Sequence, residues 1–343
     1  MVGEGGQLPL PWLRAALDEV LAHQRGHALL LQGAPGIGSF EFALSLAQAW
    51  LCEASQGPRP CGHCTSCRLV NSHTHADLLV RMPEEEAVAR EWPVTLDEKR
   101  KPSRQIKIDE IRAALDWIVT TPARGRAKVL VLFPAEAMNP TAASALLKTL
   151  EEPPAGARLL LCAAEPAQLM PTVRSRCQRV SLPWPEPAQA TTWLDIQGID
   201  GAPVLLAAAG GRPLEALRLH RQGVTAAAWA ALPRRVAQGD AQALAGWGVP
   251  AVLDTLMKLC HDASVAIQGG SPRFFPAENV PATGSLDRLS AWHKTLQRVA
   301  RHADHPWQEA LAVEALVAEG REALAGTAIS APSARRPLDT LAR

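Results

Sequence analysis

The sequence predicts an α/β protein, with a parallel-sheet core carrying helices on both faces and an all-helical remainder. Two observations carry that prediction. Over roughly the first 180 residues, short apolar runs fit for buried strands ("HALLLQG", "AKVLVLF", "RLLLCAA") alternate with segments of helical period. Beyond "LPWPEP" at 182–187 the strands stop and the chain turns alanine- and leucine-rich.

Taken in order, "WLRAALDEVLAHQ" has helical spacing, "HALLLQG" reads as a buried strand, and Ser39 to Glu53 is helical again. A cysteine-rich loop follows, then "DLLVRM" as a further strand. Pro83 to Arg104 is charged and broken by prolines, which predicts a mobile surface loop. Ile108, Ile111, Leu115 and Ile118 recur at helical spacing up to Pro122. "AKVLVLF" has the unbroken apolar run of a central parallel strand. Asn139 and Pro140 cap and start a helix that ends at Pro153 and Pro154, and "RLLLCAA" is the next strand. Helices are expected at Ala188 to Asp195, Val204 to Ala209 and Pro213 to Arg221, then in longer stretches from Thr225 to Glu322. Prolines 183, 185 and 187 make a hinge, and the tail "GTAISAPSARRPLDTLAR" predicts disorder.

With 343 residues the chain has length for two or three cores, and its composition is that of an ordinary globular protein. Its 35 basic and 34 acidic side chains give a net charge of +1. A free-standing nucleic-acid binder draws its affinity from neutralising phosphates and shows a larger basic excess, so protein partners are the first expectation. No stretch approaches the ~18 uninterrupted apolar residues of a membrane span, and "MVGEGGQLPLPW" lacks a basic leader, so a soluble, cytoplasmic protein is expected.

Two motifs carry chemistry. Cys52, Cys61, Cys64 and Cys67 stand in a C-x8-C-x2-C-x2-C pattern, whose two-residue gaps let thiolates turn back on one ion. Four thiolates close a tetrahedral shell, which predicts one structural zinc rather than a hydrolytic one; free thiols and an iron–sulfur cluster are the alternatives. His63, His73 and His75 lie nearby, with His63 as a substitute ligand.

The second motif is "GAPGIGSF". Gly33, Gly36 and Gly38 keep the frame of a phosphate-binding loop, but Ser39 replaces the lysine that reaches the outer phosphates and Phe40 the hydroxyl that holds magnesium. The strand "KVLVL" then runs into Phe133 and Pro134, where an ATPase needs carboxylates, and the first acid beyond is Glu136. Chemistry is thus replaced at two separated loci. ATP is not expected to bind productively, and the glycines serve a tight strand-to-helix turn.

"ALLKTLEEPP" within Thr121 to Pro154, followed by "SRC" at 175–177 and combined with the four-cysteine insertion, closely resembles the bacterial DNA polymerase III clamp-loader family of the AAA+ class. The resemblance covers roughly residues 27 to 182. Its motor subunits, gamma and tau, keep the lysine, threonine and acidic pair; this chain is similar instead to the delta-prime branch, which does not. Ala163 stands where the motors have a phosphate-sensing threonine, and Leu214, beside Arg212, where they have a second sensing arginine. The resemblance implies an AAA+ core over 1–182 with the zinc-binding insertion at 52–67, a small helical lid over 183–223, a helical collar over 224–326 and a tail over 327–343. It implies gamma or tau and delta as partners, with the sliding clamp and primer-template DNA reached through the complex. It also implies that Arg176 of "SRC" reaches the terminal phosphate held by the next subunit, with Arg174 and Arg179 as weaker contacts to a partner or DNA. Two readings compete: an active ATP-hydrolysing motor or helicase loader, which Ser39 and Phe133 disfavour, and a zinc-dependent nucleic-acid module, disfavoured by the near-neutral charge.

Overall fold

The computed structural model describes residues 1–3, 7–96, 100–282, 284–301 and 308–325, and the chain divides into two compact units, Met1–Trp193 and Leu194–Arg343. In the first, a short 3-10 turn (Pro11–Leu13) leads into helix α1 (Arg14–His23), strand β1 (Ala28–Gln32) and helix α2 (Ser39–Leu51). Helix α3 (Thr65–Asn71), strand β2 (Leu78–Arg81) and helix α4 (Glu84–Ala89) follow, then α5 (Ile108–Ile118), β3 (Lys128–Leu132) and α6 (Pro140–Glu151). β4 (Ala157–Ala163), α7 (Pro171–Arg174) and β5 (Gln178–Ser181) complete the sheet, and the division of the chain falls within α8 (Pro187–Ile196).

All neighbouring strands are parallel, in the order β2-β3-β4-β1-β5, which is the parallel α/β core that the sequence predicts. β3 is buried along its whole length and β1 at every position but its last, as a sheet covered on both faces requires. Leu30, Leu132 and Leu159 pack with Ile111, Ile118 and Leu146 of α5 and α6 in one core. The Asn139 side chain accepts the Ala142 N–H at 2.8 Å, and Pro140 opens α6, the cap its sequence predicts.

Three expectations need correction. β5 was not foreseen, because only Val180 of its four residues is buried and the strand lies at a sheet edge. The cysteine-rich segment contains α3 rather than only a loop. Pro83 to Arg104, expected as a mobile loop, contains α4, and Glu84 gathers the far end of the segment: its carboxylate pairs with Arg100 and Lys107 and accepts the Ser103 N–H at 2.8 Å.

The second unit has helices and no strand among its described residues: α9 (Ala202–Ala208), α10 (Pro213–Arg221), α11 (Ala226–Ala237), α12 (Val249–Ile267), α13 (Leu286–Ala300) and α14 (Glu309–Leu324). Trp229 is buried at its centre, stacked on Phe275 with ring centroids 4.8 Å apart. The buried Asp262 carboxylate accepts the backbone N–H groups of Arg273, Phe274 and Phe275, which fixes the segment after α12. The tail expected to be disordered, 327–343, lies outside the described residues. Among the described residues, no helix is long and apolar enough to cross a membrane.

Candidate functional site

The glycine loop between β1 and α2 keeps the backbone of a phosphate cradle but has an apolar lining. Gly36 and Gly38 adopt φ of 83° and 103°, the left-handed region that other residues avoid. Ile37 is fully buried, and the Trp12 indole N–H donates to its carbonyl at 2.8 Å. A Cβ at Gly38 would stand 2.1 Å from Leu10 Cδ1. The segment before α1 is thus seated directly on the loop.

Ser39 opens α2, and Phe40 turns from its first turn toward the end of β3. There it meets Phe133 at a centroid separation of 4.9 Å, while Trp92 packs edge-on to Phe40 at 5.4 Å. The Arg90 guanidinium lies 4.4 Å from the Phe133 centroid and 5.0 Å from that of Phe40, and pairs with Glu41 at 3.1 Å and Glu86 at 3.3 Å. In a working ATPase the residues at these two positions are hydrophilic and serve one magnesium ion. Here their replacements touch, beneath a side-chain cation whose attraction to ring faces is worth about 0.5–2 kcal/mol. Sequence reasoning found Phe40 and Phe133 separately; it missed their contact and Arg90, which comes from a third element. Glu136 faces elsewhere: its Oε1 accepts the N–H groups of Ala164 and Glu165 at 2.8 and 3.2 Å, tying down the end of β4 beside the buried Ala163. In the second unit, the Arg212 Nε–H donates to the Ala209 carbonyl at 2.7 Å.

The cysteines assemble at the other end of α2, about 20 Å along its axis from Ser39. Cys52 is the C-terminal cap of α2, Cys64 the N-terminal cap of α3, and Cys67 lies in the first turn of α3. The four sulfurs lie within 4.8 Å of one another, with Cys61 to Cys67 at 3.9 Å and Cys64 to Cys52 at 4.0 Å. A tetrahedron of thiolates with metal–sulfur bonds of about 2.3 Å has edges of about 3.8 Å, so the group fits one metal ion. Backbone N–H groups point at the sulfurs: Cys64 N–H donates to Cys61, Cys67 N–H to Cys64 and Cys61 N–H to Cys52, at 3.3 to 3.5 Å. Burial opposes ionisation of Cys61, but the N–H groups of Cys64 and His63 and the neighbouring thiols outweigh it and bring its pKa down to about 7. At Cys67 burial dominates and pushes the thiol up. His63 points away, with Nδ1 2.9 Å from the Cys61 carbonyl, while His75 contacts Ser66 and His73 stacks on Trp92. A brace unforeseen in the sequence joins this region to the turn before β3: Arg124 donates to Glu53 at 2.6 Å and to Ser66 at 3.1 Å.

Arg176 sits in the turn between α7 and β5. Val173 and Cys177 are buried on either side of it and anchor the turn, and burial pushes the Cys177 thiol up to about 11. The Arg176 side chain keeps 33% of its surface exposed. Its position in the sheet is set by register, because Gln178 pairs with Leu29 near the start of β1. The glycine loop leaves the opposite end of that five-residue strand, about 16 Å away. Arg176 and the chain's own loop therefore lie at opposite ends of the sheet. Arg174 is partly buried, whereas Arg179 is exposed.

A family profile described as DNA polymerase III, delta subunit, matches residues 13–186. A DNA polymerase III subunit delta' of Pseudomonas aeruginosa is 39% identical over 220 residues, covering 62% of this chain and 62% of that relative. The corresponding protein of Escherichia coli K12 is 35% identical over 218 residues, covering 62% and 60%. A DNA polymerase III subunit tau of Salmonella typhimurium is 34% identical over 156 residues, 46% of this chain and 21% of the relative. The matched region thus spans about 60% of the length of these delta' relatives.

Proposed function

The chain belongs to the family described as DNA polymerase III, delta subunit, and on that premise we propose that it is a delta-prime-like stator of a clamp loader. It lends Arg176 to a nucleotide held by a neighbouring ATPase subunit and hydrolyses none itself. The observation that carries this reading is the separation of Arg176, partly exposed at one end of the sheet, from a glycine loop at the other end whose lining is apolar. An arginine so placed has no route to its own loop. From that end of the sheet it reaches a phosphate on another subunit, where a guanidinium offsets the charge that builds up during phosphoryl transfer.

The emptied loop persists in this reading because it has become core. Leu10, Trp12 and Ile37 fill it from one side and Phe40 with Phe133 from the other, and the sheet it braces carries the turn that holds Arg176. Residues 183–223 act as a helical lid and 224–326 as a collar joining gamma or tau and delta subunits, through which the assembly opens a sliding clamp on primed DNA. The metal is zinc, held by Cys52, Cys61, Cys64 and Cys67. With four thiolates it supplies no open position for water and acts as a staple between α2 and α3.

The test is Arg176→Ala in a complex reconstituted with gamma or tau and delta. Assembly is retained while ATP turnover falls, with the adjacent site losing about a hundredfold or more, toward the range known for such arginines. Unchanged turnover refutes the donor role.

A further inference from the structure

Arg176 is not idle in the free chain. Its Nε–H donates to Glu151 Oε1 at 2.7 Å, and Nη2 pairs with the same carboxylate. Its Nη1 donates to the Thr172 carbonyl at 3.0 Å and lies 3.5 Å from Ser175 Oγ. All three guanidinium nitrogens are therefore engaged, and the Nε–Nη2 edge, a pair of parallel N–H groups suited to a phosphate, is the one that Glu151 occupies.

Glu151 is the last residue of α6, placed at this end of the sheet by the helix and by the 2.9 Å contact of His27 Nε2 with the neighbouring Leu150 carbonyl. Its side chain is 51% exposed. We infer that Glu151 is a positioning residue that competes with the neighbour's terminal phosphate for Arg176, holding the guanidinium back until a loaded nucleotide displaces it. This rests on the donor role proposed above. The energetics favour an exchangeable latch: a partly exposed ion pair is weak, so a phosphate of higher charge outcompetes one carboxylate once it arrives, while an empty neighbouring site leaves the arginine parked.

The test uses Glu151→Gln, which keeps shape and an acceptor but removes the charge, in the complex reconstituted with gamma or tau and delta. The apparent KM for ATP falls about two- to fivefold, the range an exposed ion pair spans, and kcat does not fall. Glu151→Asp keeps the charge and stays within about twofold of wild type, set by the same ion-pair range. In an Arg176→Ala background Glu151→Gln changes nothing, a coupling that a merely structural glutamate would not show. An unchanged KM in the single variant, an equal effect with Arg176 absent, or a kcat loss as deep as that of Arg176→Ala overturns the competition. If Arg176→Ala alone leaves turnover intact, the donor role itself fails, an outcome separate from failure of the latch.

Discussion

The rings of Phe40 and Phe133 meet with centroids 4.9 Å apart, joining the first turn of the helix after the glycine loop to the end of the central strand. That contact, with Arg90 over both faces, occupies the junction a magnesium ion would need. It makes this junction a piece of fixed core.

The isolated protein, titrated with a fluorescent ATP analogue and magnesium, will therefore show no saturable, magnesium-dependent binding. Restoring the loop alone, as Ser39→Lys with Phe40→Thr, will not recover it, because Phe133 and Arg90 remain and no carboxylate is supplied. The Phe40→Ala substitution leaves a cavity at a residue only 4% exposed and costs about 3–5 kcal/mol, measurable by urea denaturation. Tight magnesium-dependent binding by the wild-type chain would overturn the reading.

Gly38 tests the packing of the loop from its other side. Its φ of 103° disfavours any side chain, and a Cβ would lie 2.1 Å from Leu10 Cδ1. The Gly38→Ala variant is expected to lose about 1–3 kcal/mol of stability by chemical denaturation, from backbone strain plus displacement of Leu10. Adding Leu10→Ala relieves the clash while leaving the strain, so the two losses combine to less than their sum.

What was legible in the sequence follows from range. β1, β3 and β4 read clearly because strands covered on both faces are continuous apolar runs, and the glycine loop and cysteine cluster read clearly because local spacing defines them. β5 escaped because an edge strand with one buried residue carries no such run. Arg90, Glu84 and the Arg124–Glu53 brace escaped because each works through a partner distant in sequence, and composition there signals only polarity. Arg176 was found through its motif, but Glu151, in the equally recognisable "KTLEEPP", gained its meaning only from the fold that set it against Arg176.

Glu84 governs the charged segment after α4. The Arg100 guanidinium, the Ser103 N–H and Lys107 together hold its carboxyl at about 2, below its ordinary value of 4.5. A carboxyl depressed on folding adds stability that is complete above its ordinary value and is lost as pH falls through about 2. The segment should thus stay pinned from neutral pH down to about 4.5 and loosen only in stronger acid. At neutral pH, Glu84→Gln will speed tryptic cleavage after Arg100 or Arg104 by about tenfold, roughly one charge-assisted hydrogen bond, as read by mass spectrometry of the fragments. Equal cleavage rates in the two proteins would show that the carboxylate does not hold the segment.

The cysteine cluster makes the last prediction, and its geometry decides what each variant does. The four sulfurs already stand at the spacing of a tetrahedral thiolate site, with N–H groups aimed at Cys52, Cys61 and Cys64, so the purified protein should carry one equivalent of zinc by elemental analysis. An iron–sulfur cluster would instead colour the protein and absorb in the visible. Cys64→Ser removes a ligand that also caps α3 and should abolish metal retention, whereas His63→Ala should leave the metal content unchanged, because that imidazole points at the Cys61 carbonyl. Stripping the metal with a chelator frees the α2–α3 connection without dissolving the sheet. The expected cost is about 2–4 kcal/mol, or a fall in Tm of roughly 5–15 °C, with most far-ultraviolet helical signal retained below the transition. Because Arg124 ties Glu53, one residue beyond the ligand Cys52, to the turn before β3, the loosening should also reach that turn and raise its hydrogen exchange. A chelated protein with unchanged Tm and unchanged exchange at residues 122–126 would mean that the cysteines hold this corner together without an ion.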